Sequence, residues 1–259
     1  MLNPPCVIVS DLHLGAAQSD VERRFLAFLR DVPRAAGSLL INGDLFDFWF
    51  EWRSVIPRCG FRVLAALADI VDAGIPILWV AGNHDCWGGD VLRRDVGVTY
   101  HVGSWEGRIA GWTAVVEHGD GLRPVEDRRY RALRRVLRNP LAIGAMRVLH
   151  PDVGSWLATG SSEASRTYRA RDGGAGLRSI ALARLARPEA PELLVFGHSH
   201  VAALERGPGG RVYANAGSWL DEPTYLRVQP ERIELMRWGG SAEGECLHAL
   251  DRGAEKALS

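Results

Sequence analysis

The chain has 259 residues, 47% of them apolar and 24% charged, and its 31 basic and 31 acidic side chains give a formal net charge of zero. This composition excludes a disordered, fibrous or disulfide-scaffold protein and fits one large soluble domain or two small ones with a real core. The charge balance gives no global case for a nucleic-acid binder, and no stretch reaches the roughly 18 apolar residues of a membrane span.

The opening "MLNPPCVIVSDLHLG" has neither a basic leader nor a long apolar core, so it does not read as a signal peptide. Cys6, Cys59, Cys86 and Cys246 lack any C-x-x-C spacing and read as thiols of a reducing compartment, so a cytoplasmic setting is expected. "CVIV" predicts a first strand. Ser19 and Glu22 have capping-box spacing ahead of Val21, Phe25, Phe28, Leu29 and Val32, which recur at helical intervals. "SLLIN" predicts the next strand, and Phe61, Leu64, Ala65, Ala68 and Val71 a helix that Gly74 can stop. "PILWVAG" and "WTAVVEHG" are further strands. From Leu122 to about Arg178 strand signals vanish and the chain reads as helices and loops; "ELLVFG" then restores a strand. "RVYANAGSW", "YLRVQ" and "RIELMRW" are short β segments, the last two joined by a turn at Gln229-Pro230-Glu231, and the tail after Trp238 is expected to be loose. Strand and helix in turn predict a layered α/β domain.

Polar residues gather where these strands stop. Asp11 and His13 follow "CVIVS", and Gly43 and Asp44 follow "SLLIN". Gly82, Asn83, His84 and Asp85 follow "ILWVA", His118, Gly119 and Asp120 follow "AVVE", and Gly197, His198, Ser199 and His200 follow "LLVF". Each group alone has a bland reading: an aspartate as helix cap, an asparagine as loop former, a histidine as a hydrogen-bonded surface group. Five groups placed alike point to one site, because sites in α/β sheets form beyond the carboxyl ends of strands. If the chain stays extended through residues 197–200, the rings of His198 and His200 lean into one place. Carboxylate, amide and imidazole donors together suit Mn, Fe, Zn or Co better than Ca or Mg. Two such ions about 3.5–4 Å apart can clamp a phosphate through in-line displacement, and they need a shared carboxylate, for which Asp44 is the natural candidate.

The ordered set Asp-x-His, Gly-Asp, Gly-Asn-His-Asp, His-Gly-Asp and Gly-His-x-His resembles the calcineurin-like metallophosphoesterases. The resemblance implies a sandwich of two mixed β-sheets flanked by helices, one domain over residues 1–259 with a helical insertion at 122–178. It implies one metal on Asp11, His13, Asp44 and His200 and a second on Asp44, Asn83, His118 and His198, the most usual metal being Mn. "GDLFDFWFEW", "GNHDCWGGD", "NAGSW" and the Arg-rich insertion further resemble the UDP-2,3-diacylglucosamine diphosphatases of lipid A synthesis. That resemblance implies hydrolysis of a lipid-linked nucleotide to UMP and a sugar 1-phosphate at the cytoplasmic face of the inner membrane, by a peripheral protein and without nucleic acid. It also implies that Asn83, Asp127, Tyr130, Ser161, Ser165 and Arg166 touch substrate. One position departs from the pattern: His84 stands where the best-known members carry Arg. His84, oriented by Asp85, is then placed to protonate a leaving alkoxide.

Between Leu122 and Arg178 twelve arginines face five acidic residues, a net charge of +7 in a neutral chain. Tyr130, Leu133, Val136 and Leu137 share one side of a helical wheel, and Arg131, Arg134, Arg135 and Arg138 another. Such a helix signals an anionic ligand or membrane surface, or else a solvated basic face. Phe46, Phe48, Trp49, Phe50 and Trp52 either line an acyl channel or belong to the core. The competing functions are a phosphodiesterase or phosphatase acting on nucleotides or nucleic acid, and a metal-free scaffold. The scarcity of aromatics among the arginines disfavours a single-strand channel.

Overall fold

The computed structural model describes residues 1–16, 19–156 and 172–253. The first sheet has the order β12-β11-β10-β1-β2-β3-β4. Its parallel half is β1 (Cys6–Val9), β2 (Ser38–Asn42), β3 (Ile77–Val80) and β4 (Thr99–His101). Its antiparallel half is β10 (Thr224–Val228), β11 (Arg232–Arg237) and β12 (Glu245–Asp251). The second sheet has the order β5-β6-β7-β9-β8. It is built from β5 (Trp105–Ile109), β6 (Trp112–Val116), β7 (Leu193–Phe196), β8 (Ala203–Arg206) and β9 (Val212–Asn215), with β6, β7 and β9 parallel.

The unbroken apolar strands are explained by layers on both faces. In β1, Val7 and Val9 point into a core shared with the helices α1 (Ser19–Ala35) and α2 (Phe61–Asp72), while Cys6 and Ile8 point into the core between the sheets. Leu40, Leu78 and Val80 meet Trp112, Ala114, Val116, Leu193 and Val195 in that inner core. On the far side Leu194, Phe196 and Tyr213 pack on Leu177, Ala181 and Leu185 of the helix α5 (Ala175–Leu185). The fold is therefore the expected pair of mixed sheets flanked by helices. Between β6 and β7 the described residues form helices and no strand, including α3 (Arg128–Leu137) and α4 (Pro140–Val148).

Several local expectations need correction. Strands β4, β5 and β8 are too short or too exposed to stand out in the sequence. Within the described residues, part of the expected loose tail is a strand: β12 extends the sheet edge on β11, with most of its side chains exposed and its register interrupted by a bulge at Leu235/Met236. An exposed edge strand needs no apolar alternation, so its sequence carries no strand signal. In α2 the buried stripe is Val63, Leu64, Leu67 and Ile70, whereas Phe61 is 66% exposed. The side chain of Ser19, the first half of the expected capping box, lies outside the described residues.

Candidate metal centre

All five polar clusters meet beyond the carboxyl ends of β1, β2, β3, β6 and β7, three from the first sheet and two from the second. The backbone does not remain extended there. Asp11, His13, Asp44, His198 and His200 adopt left-handed φ values between 49° and 61°. Ala110 is the one other non-glycine residue in that region among the described residues. Such conformations cost of order 1–3 kcal/mol each and persist where the surroundings over-determine them. Here they decide where the donors point. After β7 the extended premise fails, and the successive turns deliver His198 and His200 to different neighbours. His200 joins Asp11 and His13, and His198 joins Asp44 and His118.

Hydrogen bonds over-determine the loops. The amides of Leu12 and His13 donate to the Asp44 carbonyl at 2.9 and 3.0 Å. The His198 amide donates to Asp11 Oδ2 at 3.1 Å, and Ser218 Oγ donates to the Asp11 carbonyl at 2.8 Å. Asn215 Nδ2 donates to the Gly197 carbonyl at 3.0 Å and to Ser199 Oγ at 3.1 Å. Asn215 and Ser218 therefore brace the ligand loops, a role that sequence reasoning left unassigned although polar residues inside "YANAGSW" were a usable signal. Glycine is required at Gly82, where a Cβ would lie 2.1 Å from Asp44 Oδ1.

The donor atoms converge. His13 Nε2 and His200 Nε2 are 3.1 Å apart, and Asp11 Oδ1 is 3.4 Å from His200 Nε2. Asp44 Oδ2 lies 3.1 Å from His118 Nε2 and 3.9 Å from His13 Nε2, so it borders both groups. His118 Nδ1 sits 2.9 Å from the Asn42 carbonyl, which can only accept. In the neutral ring the proton is thus on Nδ1, and the Nε2 lone pair faces a carboxylate oxygen. A cation between them resolves that repulsion, and such carbonyl-oriented imidazoles are the usual outer support of metal ligands. His118 Nε2 and Asn83 Oδ1 are buried without a hydrogen-bond partner, as expected of atoms reserved for a metal. The residues present therefore fit two divalent ions.

The electrostatics agree. Burial pushes the Asp11 carboxyl up to about 6 against the pull of His118. Burial also opposes charge on Asp44, but the imidazoles of His118, His84 and His13 outweigh it and hold its carboxyl well below the usual range. For His118 burial is outweighed by Asp44 and Asp11, which raise it well above the ordinary imidazole value. Burial and the nearby His118 lower His198 to about 4. The carboxylates demand positive charge, and without a metal a proton on His118 is the available substitute.

The family model of calcineurin-like phosphoesterases matches residues 4–202. The chain belongs to that family. The curated UDP-2,3-diacylglucosamine hydrolase of Porphyromonas gingivalis is 37% identical over 61% of this chain, a match spanning 62% of that relative. The relative from Pseudomonas fluorescens strain Pf0-1, with the same name, is 30% identical over 88% of this chain and 94% of its own length. Among solved structures, Vacuolar Protein Sorting 29 from Cryptosporidium parvum is similar at 12% identity with a TM-score of 0.47, covering 97% of this chain and 98% of that chain.

In this phosphoesterase His84 lies inside the cluster, grouped with His13 and Asp44. Its Nδ1 donates to the Asp47 carbonyl at 2.7 Å, which leaves Nε2 facing inward, 4.0 Å from Asp44 Oδ2. Asp85 does not orient it. The Asp85 carboxylate instead accepts from the amides of Gly82 at 2.7 Å and Leu45 at 2.9 Å, tying two ligand loops together. The group beside His84 is Asp47, whose carboxylate is also 3.7 Å from His13 Nδ1. Its position three residues after Asp44 was the missed signal.

The insertion differs from expectation. Asp127 is buried against Arg123, receiving Nη2 at 2.8 Å and Nε at 3.1 Å. Tyr130 donates to Asp120 Oδ2 at 2.6 Å. Ser161, Ser165 and Arg166 lie outside the described residues. The faces of α3 are reversed relative to a basic outer surface. Arg131 turns back to the carbonyls of Arg123 and Pro124, Arg134 to Asp120, and Arg138 is 26% exposed beside it, while Val136 is 59% exposed. Of the four expected basic residues, Arg135 is exposed and the other three are half-buried, the Arg134 side chain remaining 39% exposed. The aromatic cluster is largely core: Phe46, Trp49, Phe50 and Trp52 are buried, and Trp52 Nε1 donates to the Met146 carbonyl of α4 at 3.1 Å.

Proposed function

We propose that this phosphoesterase hydrolyses UDP-2,3-diacylglucosamine to UMP and 2,3-diacylglucosamine 1-phosphate. The observation that carries the chemistry is Asp44, whose Oδ2 borders both donor groups, Asp11–His13–His200 and His118–His198. The substrate is supported by relatives named for that hydrolysis, one aligned over nearly its whole length. In this reading Asp11, His13, Asp44 and His200 hold one divalent ion, and Asp44, Asn83, His118 and His198 the other, with Mn as the expected metal. Two such ions supply Lewis acidity toward the phosphoryl oxygens and toward the attacking water.

The protein's own groups do the rest. The Asn42 carbonyl fixes the His118 tautomer, and the Asp47 carbonyl fixes that of His84. The ring of His84 faces the centre and, once protonated, can donate from Nε2 to a phosphoryl or leaving-group oxygen. Tyr130 stands at the edge of the centre through Asp120. No helix among the described residues is long and apolar enough to cross a membrane. The substrate carries two acyl chains, so peripheral contact with the cytoplasmic face of the inner membrane belongs to the proposal. Its support is the outward apolar set Val136, Leu141, Val148 and Trp156, the last three 83%, 88% and 74% exposed.

The test is a product assay on UDP-2,3-diacylglucosamine in mixed micelles with Mn²⁺, beside a panel of nucleotide and nucleic-acid diesters. The reading expects UMP and the sugar 1-phosphate from the lipid and a far lower kcat/KM for every other diester. A higher kcat/KM on a nucleotide or nucleic-acid diester overturns it in favour of the phosphodiesterase alternative.

A further inference from the structure

Asp120 closes the His-Gly-Asp motif but belongs to neither donor group. It is buried, 7% exposed, and three side chains of α3 converge on it. Tyr130 Oη donates to Oδ2 at 2.6 Å. Arg134 Nη1 donates to Oδ2 at 3.1 Å and to the Asp120 carbonyl at 3.0 Å. Arg138 Nη2 stands off at 3.8 Å. The C-terminal end of α3 is pinned to the loop that carries Asn83, because Trp87 Nε1 donates to the Leu137 carbonyl at 3.0 Å. The helix thus lays two arginines against the side of the centre where Asn83, His118 and His198 meet.

The fold uses the Arg138 guanidinium only in part: Cys86 is its hydrogen-bonding neighbour. Its Nε is buried and donates to nothing among the described residues. Asp120, at 3.8 Å, is beyond hydrogen-bond reach and is already served by Tyr130 and Arg134. A buried donor left open beside a reaction centre calls for an explanation. The guanidinium offers a planar fork of donors that matches a phosphate group.

We propose that Arg138, aided by Arg134, binds the second phosphate group of a diphosphate ester, with Asp120 holding Arg134 beside the metal centre. The inference rests on the diphosphate substrate proposed above. It gives α3 a specificity role: a monophosphate occupies the centre alone, whereas a diphosphate also reaches the arginines.

The test is calorimetric titration of the Mn²⁺-loaded protein with α,β-methylene-UDP, which is not cleaved at its bridge, and with UMP. Arg138→Gln is expected to weaken α,β-methylene-UDP by about tenfold or more, the scale of a lost charge-assisted pair, and UMP by less than about threefold. Arg138→Lys keeps the charge without the fork and should recover part of that loss. Arg135→Gln removes an equal charge from the solvent side of the same helix and should move neither ligand by more than about twofold. Equal weakening of both ligands in Arg138→Gln, no weakening of the diphosphate, or a lysine variant no better than glutamine overturns the inference. The lipid assay fails separately: if the lipid is not cleaved but this pattern holds, the site serves another diphosphate, whereas cleavage without the pattern removes the arginines from recognition.

Discussion

Gly43→Ala should be among the most damaging single-methyl additions in this protein. Gly43 has a φ of 78°, and a Cβ there would lie 2.5 Å from His118 Nδ1 and 2.7 Å from the Cα and N of Gly82. Two of those contacts are backbone, which cannot swing aside. The left-handed conformation costs a non-glycine residue roughly 1–2 kcal/mol, and overpacking adds about 1–3 kcal/mol, so the expected loss is about 2–5 kcal/mol. Relief by moving the His118 ring would break its 2.9 Å bond to the Asn42 carbonyl and turn Nε2 away from Asp44. Gly74→Ala separates the two contributions: φ is 84°, with nothing within 4 Å of the added Cβ, so the strain alone should appear. Urea unfolding in EDTA reads both variants without metal linkage, provided the slope stays constant. If Gly43→Ala costs no more than Gly74→Ala, the close packing of the ligand loops is refuted.

Asp44→Asn and His118→Ala should each lower turnover by more than about a hundredfold while leaving the fold intact, since the shared carboxylate and an imidazole donor have no substitute; full activity with metal still bound would contradict the two-ion assignment. Trp52→Phe should cost about 1 kcal/mol through loss of the bond to the Met146 carbonyl and speed proteolysis within α4, whereas unchanged cleavage would detach the aromatic loop from the insertion. Burial works against charge on Glu234, but Arg227 Nε at 2.6 Å and Gln229 Nε2 at 3.1 Å outweigh it and hold its carboxyl below the usual range. Its contribution is therefore present above the unfolded value of about 4.3 and is lost as pH falls through the lower folded value. Glu234→Gln should cost about 1–2 kcal/mol at neutral pH, and the difference in urea stability should shrink below pH ~4; a constant difference down to pH ~3 would refute the pairing.

The strands that build the site were legible because burial on both faces makes them continuous apolar runs, each ended by glycine and polar donors. The donors themselves were legible as residue types at strand ends. Their geometry was not. The alternation rule suggested that His198 and His200 share one direction, but both sit at left-handed φ, and a sequence shows such strain directly only at glycine. Asp85 looked like the partner of His84 because it is adjacent, yet its carboxylate turns to two backbone amides. Asp47 takes the place beside His84 through a loop that the β2 register sets. In α3 the helical wheel separated apolar from basic residues correctly, but it carries no information about which side faces the protein. Buried Asp120 reverses the usual rule by drawing Arg134 and Arg138 inward. Strand β12 escaped because it depends on its partner β11 rather than on a pattern of its own.

Hydrolysis of UDP-2,3-diacylglucosamine in ¹⁸O-labelled water, with both products resolved by mass spectrometry, tests the central claim most directly. If the centre around Asp44 holds the phosphoryl group next to uridine, attack there places one labelled oxygen in UMP and none in the sugar 1-phosphate. Label confined to the sugar phosphate, or release of UDP in place of UMP, would contradict the account.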